Sequence, residues 1–82
     1  MYVCIVCGFN ELDLPQYTEE GGPMFNICSC CGFQSGYHDL DREITIEEYR
    51  QQWIDKGAKW TFPPRPKDWD VKVQLQNINI EL

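Results

Sequence analysis

Two short stretches of this chain carry residues suited to metal chemistry: Cys4-Ile5-Val6-Cys7-Gly8 and Cys28-Ser29-Cys30-Cys31-Gly32. Both read C-x-x-C-G, and 20 residues separate Cys7 from Cys28, a pattern expected of zinc sites. Two intervening residues let a tight turn aim both thiolates at one ion. The glycine that follows takes the positive φ that closes the turn without a Cβ clash. Backbone N–H groups of such a turn are placed to donate to the sulfurs and so to orient them. The spacing predicts that Cys4, Cys7, Cys28 and Cys31 together satisfy one tetrahedral Zn2+. Buried free thiols, or a pair of disulfides, are the plainer readings of a single C-x-x-C; two glycine-followed copies argue against both.

The chain has five cysteines, so Cys30 is left over. It could replace Cys28 or Cys31 as a ligand, but C-x-C and C-C spacings match the first knuckle less well. Its position predicts a mid-turn thiol near the metal and partly exposed. A small turn residue is favoured over a reactive thiol, although a neighbouring divalent ion lowers a thiol's pKa. The single histidine, His38, is expected on the surface or in packing, because four sulfurs already complete a ligand set. A four-sulfur site is closed, whereas catalytic zinc keeps a position open for water. The sequence has no Ser-His-Asp set, phosphate loop or HExxH helix, and one histidine offers little general-base capacity. The chain reads as non-enzymatic.

The elements that must position these cysteines fit in 82 residues, which is one domain: a zinc ribbon over 1–41, then a helix and an aromatic-rich C-terminal segment over 42–82. A chain this short buries little apolar surface, so a metal is a natural source of stability. Short strands are expected at Met1–Val3, leading into the first knuckle, and at Met24–Ile27, leading into the second. Pro15 and Gly21-Gly22-Pro23 mark turns in the acidic loop between them. The stretch Phe33–Asp41 either closes the ribbon or crosses to the next element. The resulting fold class is a small metal-stabilised α+β domain, with two knuckles on short β-hairpins followed by one clear helix.

That helix begins after Thr45. Thr45-Ile46-Glu47-Glu48 fits a capping box, with Ile44 and Tyr49 at the staple positions. Gly57 ends the helix, and Ile46, Tyr49, Trp53 and Ile54 form its apolar stripe. Lys59-Trp60-Thr61-Phe62-Pro63-Pro64-Arg65-Pro66 cannot be helical and reads as an extended strap; its P-x-x-P pattern fits a rigid connector better than a ligand for a proline-recognising groove. Beyond Trp69 two patterns compete. Asp68 or Asp70 could cap a short helix to about Asn77, while Val71, Val73 and Leu75 alternate like a strand; the helix is favoured, with an extended Ile78–Leu82 tail. Trp53, Trp60, Phe62 and Trp69 are expected to supply the core that a sulfur ribbon lacks, in preference to an exposed patch for a partner.

Charge is distributed unevenly. Residues 1–41 hold Glu11, Asp13, Glu19, Glu20, Asp39 and Asp41 and no lysine or arginine, while the remainder carries seven acids against seven bases, so the formal net charge of −6 belongs to the cysteine-bearing half. Nucleic acid is not expected as a partner of that half, since phosphate binding needs lysine and arginine. The chain opens on Met1-Tyr2-Val3 without a basic, apolar leader and has no apolar run of membrane-spanning length. A reducing cytoplasm is the expected compartment, where clustered cysteines signify metal more often than disulfides.

At C-x-x-C-G…C-x-C-C-G the sequence resembles small bacterial cysteine-rich proteins with a rubredoxin-like zinc-ribbon fold. In particular it is similar to the CPCC-type family, named for a Cys-Pro-Cys-Cys knuckle. The resemblance spans roughly residues 2–40 and extends to the acidic, tryptophan-containing helix that follows. Here the knuckles are Cys-Ile-Val-Cys and Cys-Ser-Cys-Cys, without the proline. Such families occur as stand-alone proteins and near toxin systems, so the resemblance implies a protein-binding or immunity-type role. A rubredoxin-like electron carrier, with iron in the same four sulfurs, is the alternative. Its acidic surface would dock a basic redox partner.

Overall fold

In the computed structural model, which describes all 82 residues, the two knuckles fold alike. In each, the first cysteine N–H donates to the carbonyl five residues on: Cys4 to Phe9 at 2.7 Å and Cys28 to Phe33 at 2.9 Å. The glycine N–H returns to the first cysteine carbonyl, Gly8 to Cys4 at 2.9 Å and Gly32 to Cys28 at 2.8 Å. Gly8 and Gly32 take φ of +85° and +79°, as the turn requires. The repeat is therefore one residue longer than C-x-x-C-G, because Phe9 and Phe33 complete it.

The hairpins expected around the knuckles are reduced to single antiparallel bridges. Tyr2 pairs with Leu12 and Ile27 with Gln34, while Tyr17 pairs with Pro23 inside the acidic loop. The first two pairs each close around a knuckle and extend no further, so no continuous strand forms at Met1–Val3 or Met24–Ile27. Phe33–Asp41 ends in a π-helical turn, Tyr37–Asp41, entered through Gly36 at φ +88°. Asp39 holds that entry, accepting the Gly36 N–H at 2.6 Å with one carboxylate oxygen and the Tyr17 hydroxyl with the other. The segment thus crosses back over the acidic loop before the main helix.

That helix, α1 (Ile46–Asp55), starts as its sequence predicts. Thr45 Oγ1 accepts the Glu48 N–H at 3.0 Å, and Glu48 Oε1 accepts the Thr45 N–H at 3.1 Å. Its C-terminus closes with Gly57 N–H on the Ile54 carbonyl and Ala58 N–H on the Trp53 carbonyl, both at 2.9 Å, the double bond of a Schellman motif. The strap follows, with a cis bond between Pro63 and Pro64. The competition beyond Trp69 resolves as helix: α2 (Val71–Leu75) is capped by Asp70, whose Oδ1 accepts the Lys72 N–H at 2.9 Å. A 3-10 turn, Gln76–Ile78, continues it.

The core is built on sulfur. All five cysteines are buried, together with Val6, Leu12, Phe33, Trp53, Ala58 and Leu75. Ile46, Tyr49 and Ile54 of α1, Trp60 of the strap and Trp69 beyond it pack against this cluster. The three tryptophans turn inward and each indole N–H is bonded internally: Trp53 to the Lys59 carbonyl, Trp60 to the Phe62 carbonyl and Trp69 to Gln74 Oε1. Phe9, Trp60 and Trp69 stack edge to face in series, with centroids 5.2 and 5.6 Å apart. Phe62 departs from the expected core and is 51 % exposed.

A Cβ on Gly8 would lie 2.4 Å from the Gln74 carbonyl oxygen, whereas one on Gly21, at a similar φ of +87°, meets nothing. Gly21→Ala should cost about 1–2 kcal/mol from backbone strain alone. Gly8→Ala should cost at least twice as much or abolish folding. Urea unfolding of the two variants side by side measures the difference.

Candidate metal centre

The knuckles face each other so that the four predicted ligands converge. The Sγ atoms of Cys4, Cys7, Cys28 and Cys31 all lie within 4.8 Å of one another, and every one of these residues is buried. The cross-knuckle pairs Cys4–Cys31 and Cys7–Cys28 are each 3.7 Å apart. A disulfide needs about 2.05 Å, and the five thiols are free. A tetrahedron with metal–sulfur bonds of 2.3 Å has edges of about 3.8 Å. The donor set and its spacing fit such an ion, so the four cysteines could hold a metal.

Without a cation, four buried thiols compete for protons. Cys4 is held far below the ordinary thiol range by S–H groups of Cys28, Cys31 and Cys7. Cys7 and Cys31 are pushed far up, in both cases first by the interaction with Cys28 and further by burial. Cys4 is thus favoured as the thiolate while Cys7 and Cys31 resist ionisation. A divalent cation is the group that stabilises all four as thiolates.

Neutral amides surround the cluster. Gln16, buried in the acidic loop, donates Nε2 to Cys4 Sγ at 3.1 Å while its Oε1 accepts the Ile5 N–H at 2.8 Å. Gln74 of α2, also buried, donates Nε2 to the Cys7 carbonyl at 3.1 Å and to Cys30 Sγ at 3.2 Å. Its orientation is locked because its own Oε1 accepts the Trp69 indole N–H at 2.7 Å. Arg50 on α1 spans the first knuckle, with Nε on the Val6 carbonyl at 2.7 Å and a terminal nitrogen on the Ile5 carbonyl at 2.9 Å. The Tyr49 hydroxyl donates to the Cys31 carbonyl at 3.0 Å. Sequence reasoning picked out none of Gln16, Arg50 or Gln74. A neutral amide in a loop otherwise rich in acids, and an arginine beside the apolar stripe of α1, were the available signals.

Cys30 is not the partly exposed thiol its turn position suggests. It is fully buried, as is Val6, the residue at the same place in the first knuckle. The two knuckles share one hydrogen-bond pattern, and this position is an interior one in both. The strap and α2 cover it. Thr61 N–H bonds to the Cys30 carbonyl at 2.8 Å, and Gln74 caps its sulfur. Contact with Cys7, and then with Gln74, pulls the Cys30 thiol below its ordinary value.

The chain is 33 % identical over 92 aligned positions to the uncharacterized protein YoaQ of Bacillus subtilis (strain 168), covering 95 % of this chain and 74 % of that protein. Identity to the uncharacterized protein YozI of the same strain is 30 % over 92 aligned positions, covering 94 % of this chain and 72 % of that protein. The chain belongs to this family. No family model and no solved structure matches it. No helix is long and apolar enough to cross a membrane.

His38 packs, as expected, and lies outside the sulfur cluster. Its ring stacks on Phe33 at 5.8 Å and meets Tyr49 and Tyr37, each at 4.8 Å, while Nδ1 accepts the Gln34 N–H at 3.0 Å. Burial holds its pKa below the ordinary value.

Gln16→Met, which removes the donor to Cys4 Sγ, should weaken metal binding about ten-fold or more, read by competition with a chromogenic chelator. A lowered folded pKa means that the unfolded chain binds the His38 proton first. The stability associated with neutral His38 is therefore complete above about pH 6.5 and is lost as pH falls toward the folded pKa. An NMR titration of the ring should give a midpoint below that of a histidine in a short peptide.

Proposed function

We propose that the chain is a non-catalytic zinc-binding protein whose metal is structural, organised as a rubredoxin-like zinc ribbon with the C-terminal half wrapped around it, and whose task is to bind another protein. The observation that carries this reading is the buried, four-sulfur cluster. All four coordination positions of a tetrahedral ion are taken by thiolates, leaving none for water or substrate. The like geometry of the two knuckles and their antiparallel bridges support a ribbon of this type. A protein partner is supported by the acidic, lysine- and arginine-free first half and by the resemblance to CPCC-type proteins, which also suggests an immunity-type role.

Elemental analysis of wild type, Cys7→Ser and Cys30→Ser tests the ligand set. Zinc at one ion per chain is expected in wild type and in Cys30→Ser, where the serine oxygen still accepts from Gln74. Cys7→Ser should lose both metal and fold. Because the ligands must be thiolates, acid should release the ion, with loss of structure tracking release. Stoichiometric iron with visible absorbance and reversible one-electron chemistry would instead favour the electron-carrier reading. A chain that keeps its metal in Cys7→Ser would overturn the site.

A further inference from the structure

Where the first knuckle meets the C-terminal helix lies an open groove of 370 Å³, walled by Phe9 and Glu11 on one side and by Asp68, Trp69, Asp70 and Val73 on the other. No lysine or arginine lines it. It shares Phe9 and Glu11 with a second groove of 230 Å³ that runs between the knuckles past Asp13, Leu14 and Ile27. No basic residue lines that one either. Together the two grooves are lined by four carboxylates, Glu11, Asp13, Asp68 and Asp70, and by apolar side chains, of which Val73, Leu14 and Ile27 are 60 %, 52 % and 50 % exposed. Another groove that Trp69 also lines has the reverse character, with Lys59 and Arg65 beside Trp60 and Pro63.

From this we infer that the channel running from Trp69 past Glu11 to Ile27 is the docking surface for a basic segment of a partner protein, with arginine or lysine side chains alternating with apolar ones. The inference rests on the protein-binding reading above and names its surface. Complementarity of charge selects the occupant: carboxylates without an internal cation attract basic side chains, and the rings of Phe9 and Trp69 add favourable sites for a guanidinium or ammonium group. A bound metal ion is a poorer fit, because the four cysteines are the one group of side chains whose ligand atoms converge on a point; the groove carboxylates do not gather around one. Spread charges match a chain segment, not an ion.

The groove also depends on the sulfur cluster for its shape. Asn77 Nδ2 donates to the Gly8 carbonyl at 2.9 Å, and Gln74 ties the Cys7 carbonyl to the Trp69 indole. Both walls are therefore fastened to the first knuckle. Glu11 and Asp68 are exposed, so neutralising them leaves those ties in place.

The test uses the zinc-loaded full chain and two short probe peptides, one alternating arginine with leucine and the other alternating glutamate with leucine. The arginine peptide should bind, shift the Trp69 indole resonance and lose affinity steeply as salt rises; the glutamate peptide should not bind. Glu11→Gln with Asp68→Asn should weaken binding about ten-fold at low salt, while Lys59→Gln with Arg65→Gln should not weaken it. No binding of the arginine peptide, binding indifferent to the Glu11 and Asp68 changes, or calcium ions bound at those carboxylates in its place would overturn the inference. Zinc content and melting are recorded on the same samples, so failure of the metal-stabilised reading shows separately as lost metal or lost fold.

Discussion

Turning four sulfurs toward one point leaves six knuckle carbonyls, those of Ile5, Val6, Cys7, Ser29, Cys30 and Cys31, in need of donors, and each finds one in the second half of the chain. Arg50 serves Ile5 and Val6, Gln74 serves Cys7, the Phe62 and Thr61 N–H groups serve Ser29 and Cys30, and Tyr49 serves Cys31. A buried carbonyl left unbonded costs about 1–3 kcal/mol, so at Val6, Cys7, Cys30 and Cys31, which are buried, these bonds form a structural requirement, while Ile5 and Ser29 are exposed. No buried side-chain polar atom lacks a partner.

The two knuckles meet the requirement in different ways. The first takes a guanidinium from α1 and an amide from α2. The second takes two backbone N–H groups from the strap and a phenol from α1. This division fixes the course of the second half: α1 must lie where Arg50 and Tyr49 reach both knuckles, the strap must run along Ser29-Cys30, and α2 must return to Cys7. The proline-rich strap suits its place because Thr61 and Phe62, its two donors, precede the prolines and keep their N–H groups.

The cluster also governs the outer surface. Gln74 bonds the Cys7 carbonyl and Cys30 sulfur with one end and Trp69 with the other, so the position of the ligand cage reaches the groove wall through a single amide. The short bridges around the knuckles contribute little rigidity, each being a single pair. Rigidity comes from the sulfur cluster and the hydrogen bonds that cover it, which is why a chain with so little sheet holds a defined shape.

What the sequence determined by itself is local. The two C-x-x-C-G turns, the Thr45 cap, the Gly57 stop and the absence of helix in the strap follow from residues within a few positions of one another, where turn sterics and neighbouring hydrogen bonds decide. The convergence of Cys4, Cys7, Cys28 and Cys31 was legible too, because paired copies of a ligand turn have one economical use. Tertiary structure decided the rest. Cys30 is buried because the strap and α2 fold over a turn that, considered alone, faces solvent. Residues 71–75 become helix although their apolar residues alternate, because Asp70 caps them and Gln74 and Leu75 must point to the sulfur core. Gln16, Arg50 and Gln74 gain their roles from partners 11 to 67 residues away, and no local pattern records a hydrogen bond to a carbonyl that only the folded chain brings within reach.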